Sequence, residues 1–65
     1  MIVQVNNQSV ELPPGASLAD AVRQVGALPP FAAAVNLQFV PSSQYDHTVL
    51  HPDDAVEIIR PVTGG

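Results

Sequence analysis

Met1, Val3 and Val5 alternate with Ile2, Gln4 and Asn6, and Val10 and Leu12 alternate with Ser9 and Glu11. A period of two marks strands with one buried face. Asn6-Asn7 between them supplies two residues that tolerate the positive φ of a tight turn, so the chain is expected to open on a β-hairpin. Pro13-Pro14-Gly15 ends the alternation, and from Ser17 the period changes: Leu18, Ala21, Val22 and Val25 fall on one helical stripe, opposite Ala19, Arg23 and Gln24. Ser17 with Asp20 three residues on has the form of a capping box, Asp standing where Glu is preferred. Gly26 suits the C-terminal cap and Pro29-Pro30 bars continuation of the helix.

Phe31 to Val35 is an apolar run too short for an independent helix, and Asn36-Leu37 is read as a turn into a strand from Gln38 to Val40. Pro41-Ser42-Ser43-Gln44-Tyr45 reads as a loop or a single 3₁₀ turn, Thr48-Val49-Leu50 as a short edge strand and His51-Pro52-Asp53-Asp54 as a turn. Ala55 to Arg60 reads as the last strand, ended by Pro61. The order ββαββ(β) places the chain in the α+β class, and its simplest compact solution is a mixed sheet curled over one helix. Right-handed crossover geometry sets the last strand beside the first and parallel to it. This is the β-grasp (ubiquitin-like) arrangement. Residues 1–60 are the expected domain, and residues 61–65 are expected to leave the middle of the sheet as a flexible tail ending in Gly64-Gly65.

Strand parity suggests one surface. With Val3, Val5, Val56 and Ile58 toward the helix, Ile2, Glu57 and Ile59 share the open sheet face and are expected to lie close together as a partner surface. Scattered exposed apolar residues are also ordinary, so a chance patch stands beside that reading.

At 65 residues the chain is one small domain that buries roughly 60% of the surface exposed when unfolded, too little to enclose a large substrate cavity. It has no cysteine, hence no disulfide, thiolate metal site or thiol nucleophile. The first residues lack the pattern of a signal peptide and no apolar run approaches membrane-spanning length, so a cytoplasmic protein without membrane association is expected. Arg23 and Arg60 stand against six acidic residues, for a formal net charge of −4. That balance disfavours nucleic acid, and it suits either a partner with a basic docking surface or simple solubility. The chain contains no lysine. It offers no ε-amine to an activated carboxyl, so it cannot be extended into lysine-linked chains of itself.

Candidate chemistry concentrates at the end of the sequence. Gly64-Gly65 gives the terminal carboxylate a slim backbone, which an enzyme drawing it through a narrow channel would need; a frayed end is the other reading. His47, His51, Asp53 and Asp54 have no recognised metal-site spacing, and Pro52 disrupts any helical presentation, so they are read as a polar loop and turn. Ser17 has no identifiable base or orienting acid and is read as a helix cap. No Gly-rich phosphate loop with a lysine is present. Neither a catalytic residue nor a metal or cofactor held by the chain is expected.

The run Ala34-Val35-Asn36-Leu37-Gln38-Phe39-Val40-Pro41-Ser42-Ser43-Gln44-Tyr45, the acidic turn ending in Asp54, and the end Arg60-Pro61-Val62-Thr63-Gly64-Gly65 together resemble the ThiS family of thiamine-biosynthetic sulfur carriers. The resemblance spans the whole chain. Two positions depart from it: the family often has Arg after the proline, where this chain has Ser42, and usually Gly before the aspartate, where it has Asp53. The first bears on a partner contact, and the second implies a different turn geometry near residues 52 to 54.

The resemblance implies that an E1-like (ThiF-type) enzyme, using Mg-ATP, adenylates the Gly65 carboxylate. Sulfur from a persulfide donor, of the cysteine desulfurase or rhodanese type, then replaces the adenylate. It also implies tail recognition through Pro61, Val62, Thr63 and Gly64, and delivery of sulfur to a ThiG-type thiazole synthase. The carrier is then a protein co-substrate, not an enzyme. The rivals are the small subunit of molybdopterin synthase (MoaD-like), whose tail also resembles Pro-Val-Thr-Gly-Gly, a ubiquitin-like modifier joined to target lysines, and a purely structural interaction module.

Overall fold

In a computed structural model, which describes residues 1–60, the chain forms β1 (Ile2–Val5), β2 (Gln8–Glu11), α1 (Leu18–Val25), β3 (Ala32–Val35), β4 (Gln38–Val40), a 3₁₀ turn at Ser42–His47 and β5 (Ala55–Ile59). The five strands make one sheet in the order β2-β1-β5-β3-β4. β5 runs parallel to β1 and antiparallel to β3. The last strand is therefore central, as the crossover argument requires.

Both hairpins turn on two left-handed residues, Asn6 and Asn7 at φ 50° and 67°, and Asn36 and Leu37 at φ 50° and 69°. Paired positive φ values match the twist of the flanking strands. The helix begins with Ser17 and Asp20 in a reciprocal capping box and ends at Gly26, whose φ of 71° no other residue type adopts as easily. Its buried residues are Leu18, Ala19, Ala21 and Val22. The predicted stripe is thus shifted: Ala19 is covered, in a first turn that lies beside the 3₁₀ turn, whereas Val25 is exposed at the helix end.

Leu18, Ala21 and Val22 pack on Val3, Val5, Ala33 and Val56 from the sheet, and Leu12, Ala16 and Leu50 complete the core. Leu50 comes from the segment expected to form an edge strand at Thr48-Val49-Leu50, and no such strand forms. Instead Leu18 N donates to Thr48 O at 2.8 Å and Leu50 N to Ala16 O at 2.9 Å, leaving a single bridge between Ser17 and Val49. The partners available to this segment are the residues leading into the helix, so its backbone groups are satisfied there. The turn before β5 holds Asp53 at φ 68°. The aspartate there takes the left-handed region that glycine favours, one that Asp and Asn tolerate better than other side chains.

Candidate functional site

Strand register decides which surface residues can act together. On β1, Ile2 lies opposite Glu11 and Gln4 opposite Ser9, all on the open face. On β5, Glu57 lies opposite Ala34 and Ile59 opposite Ala32, while Phe39 on β4 lies opposite Ala34. The open face is consequently divided. Its β1-β2 half carries Gln4, Ser9 and Glu11 with Ile2 at the far end, and its β3-β4-β5 half carries Ala32, Ala34, Phe39 and Ile59, with Glu57 between. Phe39 is 70% exposed and Ile59 56% exposed among the described residues.

Of the three residues expected to lie together, Glu57 and Ile59 do, on alternate positions of one strand. Ile2 does not. The parallel register pairs Gln4 with Ala55, which sets Ile2 level with Asp53, whose N–H donates to Ile2 O at 2.8 Å. Ile59 is six residues further along, about 20 Å away at roughly 3.3 Å per residue. Being on neighbouring strands made Ile2 and Ile59 look adjacent; the stagger between those strands separates them. Phe39 lies across Ala34 from Glu57 on the same face, one strand beyond β3, and Ile59 is two residues further along β5.

The structure also shows two polar devices on β5, both built from turn asparagines. Asn36 Oδ1 accepts from Ala55 N at 2.9 Å, and its Nδ2 donates to Asp54 Oδ1 at 3.0 Å. The other oxygen of Asp54 accepts from His51 N at 2.8 Å. Partial burial raises the carboxyl pKa of Asp54, but the hydrogen bonds from His51 N–H and the Asn36 amide, with the nearby His51 charge, outweigh it and hold the group below its ordinary value. At the other end, Asn6 Oδ1 accepts from Ile58 N at 2.9 Å and Asn6 Nδ2 donates to Ile58 O at 3.2 Å. Asn stands at the first position of both two-residue turns, a placement that positive φ accounts for by itself, so the clamps carry no separate signal in the sequence.

Asn6 also lines two surface hollows. One of about 450 Å³ lies between Val5, Ile58 and the helix end at Val25 and Ala27, with Arg60 in its wall, and one of about 300 Å³ is lined by Gln4, Asn7, Ala55 and Glu57. Both are open surface hollows. Among the described residues there is no cluster of three or more His, Asp or Glu side chains arranged to hold a metal, and no helix long and apolar enough to cross a membrane. His51 Nδ1 lies 3.8 Å from Asp54 Oδ2, a contact within the turn, and Ser17 Oγ is committed to the Asp20 N–H of the helix cap. The tail positions Pro61, Val62, Thr63, Gly64 and Gly65 lie outside the described residues.

A five-stranded mixed sheet on one helix, with the last strand central and parallel to the first, defines a β-grasp protein of the ubiquitin-like kind. The ThiS family model matches residues 3–65, so the chain belongs to the ThiS family, the sulfur carriers of thiamine biosynthesis. Among solved structures it is similar to the thiamine biosynthesis protein ThiS from Geobacter metallireducens, at a TM-score of 0.83 and 17% identity over 100% of both chains. At that identity the likeness speaks for the fold alone. Comparison with curated proteins gave no match.

Proposed function

We propose that the chain carries sulfur as a thiocarboxylate on Gly65 for formation of the thiazole ring of thiamine. The observation that carries this reading is the central position of β5. The strand ends at Ile59, six residues before Gly65 in a sequence closing on Gly-Gly, and beside it lies an exposed apolar half-sheet. An enzyme can hold that face and receive the terminus at once.

The chemistry assigned to the partner follows from the carboxylate. A carboxylate resists nucleophiles because its charge repels them and its oxygen leaves poorly; transfer of an adenylyl group from Mg-ATP, with loss of pyrophosphate, gives it a stable phosphate leaving group. The outer sulfur of a persulfide donor then displaces AMP to give an acyl disulfide, and a thiol of the partner enzymes cleaves its S–S bond, leaving as a disulfide with the donor. The product is a thiocarboxylate, nucleophilic at neutral pH, for a ThiG-type synthase. A ThiF-type enzyme supplies the nucleotide site and the metal. The carrier supplies the terminus, recognised through Pro61, Val62, Thr63 and Gly64, and a docking surface of Glu57 and Ile59, joined by Phe39. Residues 1–60 are the docking domain, 61–65 the reactive segment, and the reaction belongs to the partners.

Intact-mass analysis tests this directly. After incubation with the cognate activating enzyme, Mg-ATP, a persulfide donor and a thiol reductant, one oxygen should be replaced by sulfur, confined to the C-terminal peptide. Gly64→Val should suppress the product, because a β-branched side chain narrows φ and ψ and adds bulk beside the reacting carbonyl. An unchanged mass of the wild-type chain with a demonstrably active enzyme set would reject the carrier reading. Thiocarboxylate that serves a molybdopterin synthase and not a thiazole synthase would replace its destination.

A further inference from the structure

The ladder between β1 and β5 continues one rung further than the backbone of β1 does. Gln4 N donates to Asp54 O and Asn6 N to Val56 O, each at 2.9 Å. The next groups on this side of β5 are the N–H and C=O of Ile58, and by then the chain at Asn6 has turned away with φ 50°. The carboxamide of Asn6 occupies that place. Its oxygen accepts from Ile58 N at 2.9 Å and its nitrogen donates to Ile58 O at 3.2 Å. A side-chain amide has the same donor, acceptor and planarity as a peptide group, so it serves as one more peptide of β1. Ile58 lies two residues before Arg60, where the described chain ends.

We infer that Asn6 is a positioning residue for the reactive terminus: by pairing with both backbone groups of Ile58 it holds the β1-facing side of the strand end from which the chain leaves the sheet toward Gly65. The assignment rests on the carrier reading above. Docking through the open face brings the sheet to the activating enzyme, and the end of β5 is then held from both sides, by β3 at Ala33 and Ala32 and by the Asn6 carboxamide at Ile58. Reacting groups misplaced by about 1 Å can lose as much as about a hundredfold in rate. The Asn36 carboxamide is an internal control, since it clamps the opposite end of the same strand at Ala55.

The test compares Asn6→Gly with Asn36→Gly. Each keeps a residue suited to the left-handed turn and deletes one clamp, so both should lower the thermal midpoint slightly and comparably. In Asn6→Gly the amide of Ile58 should exchange faster with solvent. Pyrophosphate release with the cognate activating enzyme and Mg-ATP should separate the two: Asn6→Gly loses at least about fivefold in kcat with KM for the carrier little changed, whereas Asn36→Gly keeps wild-type values. Should Asn6→Gly not fold, Asn6→Asp keeps the acceptor for Ile58 N–H, loses the donor to Ile58 O, and should show the same split. A wild-type kcat for the folded Asn6 variant, or equal losses in both variants, would overturn the assignment alone. No pyrophosphate release from the wild-type chain would remove the carrier reading and this assignment with it.

Discussion

The two hairpins on either side of β5 share a backbone plan and differ in what they do with their side chains. Each turns on two left-handed residues, and each directs its first turn asparagine onto β5. The β1-β2 hairpin buries Val3 and Val5 against the helix and carries Gln4, Ser9 and Glu11 on the open face, with Ile2 its one large apolar residue there. The β3-β4 hairpin gives the core one fully buried residue, Ala33, and leaves Leu37 87% and Phe39 70% exposed. Leu37 does so in a conformation that is costly for a side chain with a Cβ, roughly 1–2 kcal/mol per residue. One hairpin therefore holds the domain together, while the other presents apolar surface that folding alone does not require.

The comparison makes its largest prediction for stability. Val3→Ala removes two methyl groups from a fully buried site, at roughly 0.8 kcal/mol each plus a cavity contribution, so urea unfolding should show a loss of about 2 kcal/mol. Phe39→Ala removes a much larger side chain from the other hairpin and should change stability by less than about 0.5 kcal/mol, as exposed substitutions do. Equal losses would show that the β3-β4 hairpin is core-bearing after all.

Binding should reverse the order. Phe39→Ala or Ile59→Asp should weaken association with the activating enzyme about tenfold, equivalent to about 1.4 kcal/mol, while Gln4→Ala on the polar half leaves it unchanged. Titration of labelled carrier with the enzyme, alongside a thermal melt of each variant, separates contact from unfolding. If Gln4→Ala and Phe39→Ala weakened binding alike, the division of the open face would have no functional meaning.

How far these contrasts were legible in the sequence depends on their range. The turns, the capping box and the central last strand follow from short patterns: two Asn-initiated turns, Ser17 with Asp20, and one helix between hairpins that fixes the crossover. The resemblance carried by Ala34 to Tyr45 and by the Gly-Gly end fixed the family. What failed depended on register and on neighbours distant in sequence. Alternation gave Ile2 and Ile59 the same face, but nothing in it measures the stagger of a parallel pair, and the place of Phe39 on the face it shares with Glu57 depends on the pairing of β3 with β5, which no local pattern shows. Val49 belongs to a β-prone triplet, yet the open backbone groups nearest to it were those of Ala16 and Leu18. The clamps were hidden for a different reason, since the composition of a turn says nothing about where its side-chain amides point.

The smallest effect distinguishes the clamps themselves, because one is linked to a titratable group and the other is not. Asn36 shares its amide with Asp54, whose folded-state carboxyl lies below the ordinary value of 3.8; Asn6 bonds only to the backbone of Ile58. A depressed carboxylate contributes stability that is fully present above its unfolded value and is lost as pH falls through the folded one. Below about pH 3.8 the start of β5 should therefore loosen while the Asn6 rung at Ile58 persists. Asp20 titrates in the same sense, its carboxylate favoured first by the Ser17 N–H and then by Arg23, so the acid slope cannot vanish when Asp54 alone is changed. Thermal midpoints measured from neutral pH downward should fall less steeply for Asp54→Asn than for wild type, and amide exchange in acid should rise first at His51 and Ala55. Parallel pH profiles for the two proteins, or earlier loss of protection at Ile58 than at Ala55, would show that the carboxylate does not govern that end of the strand.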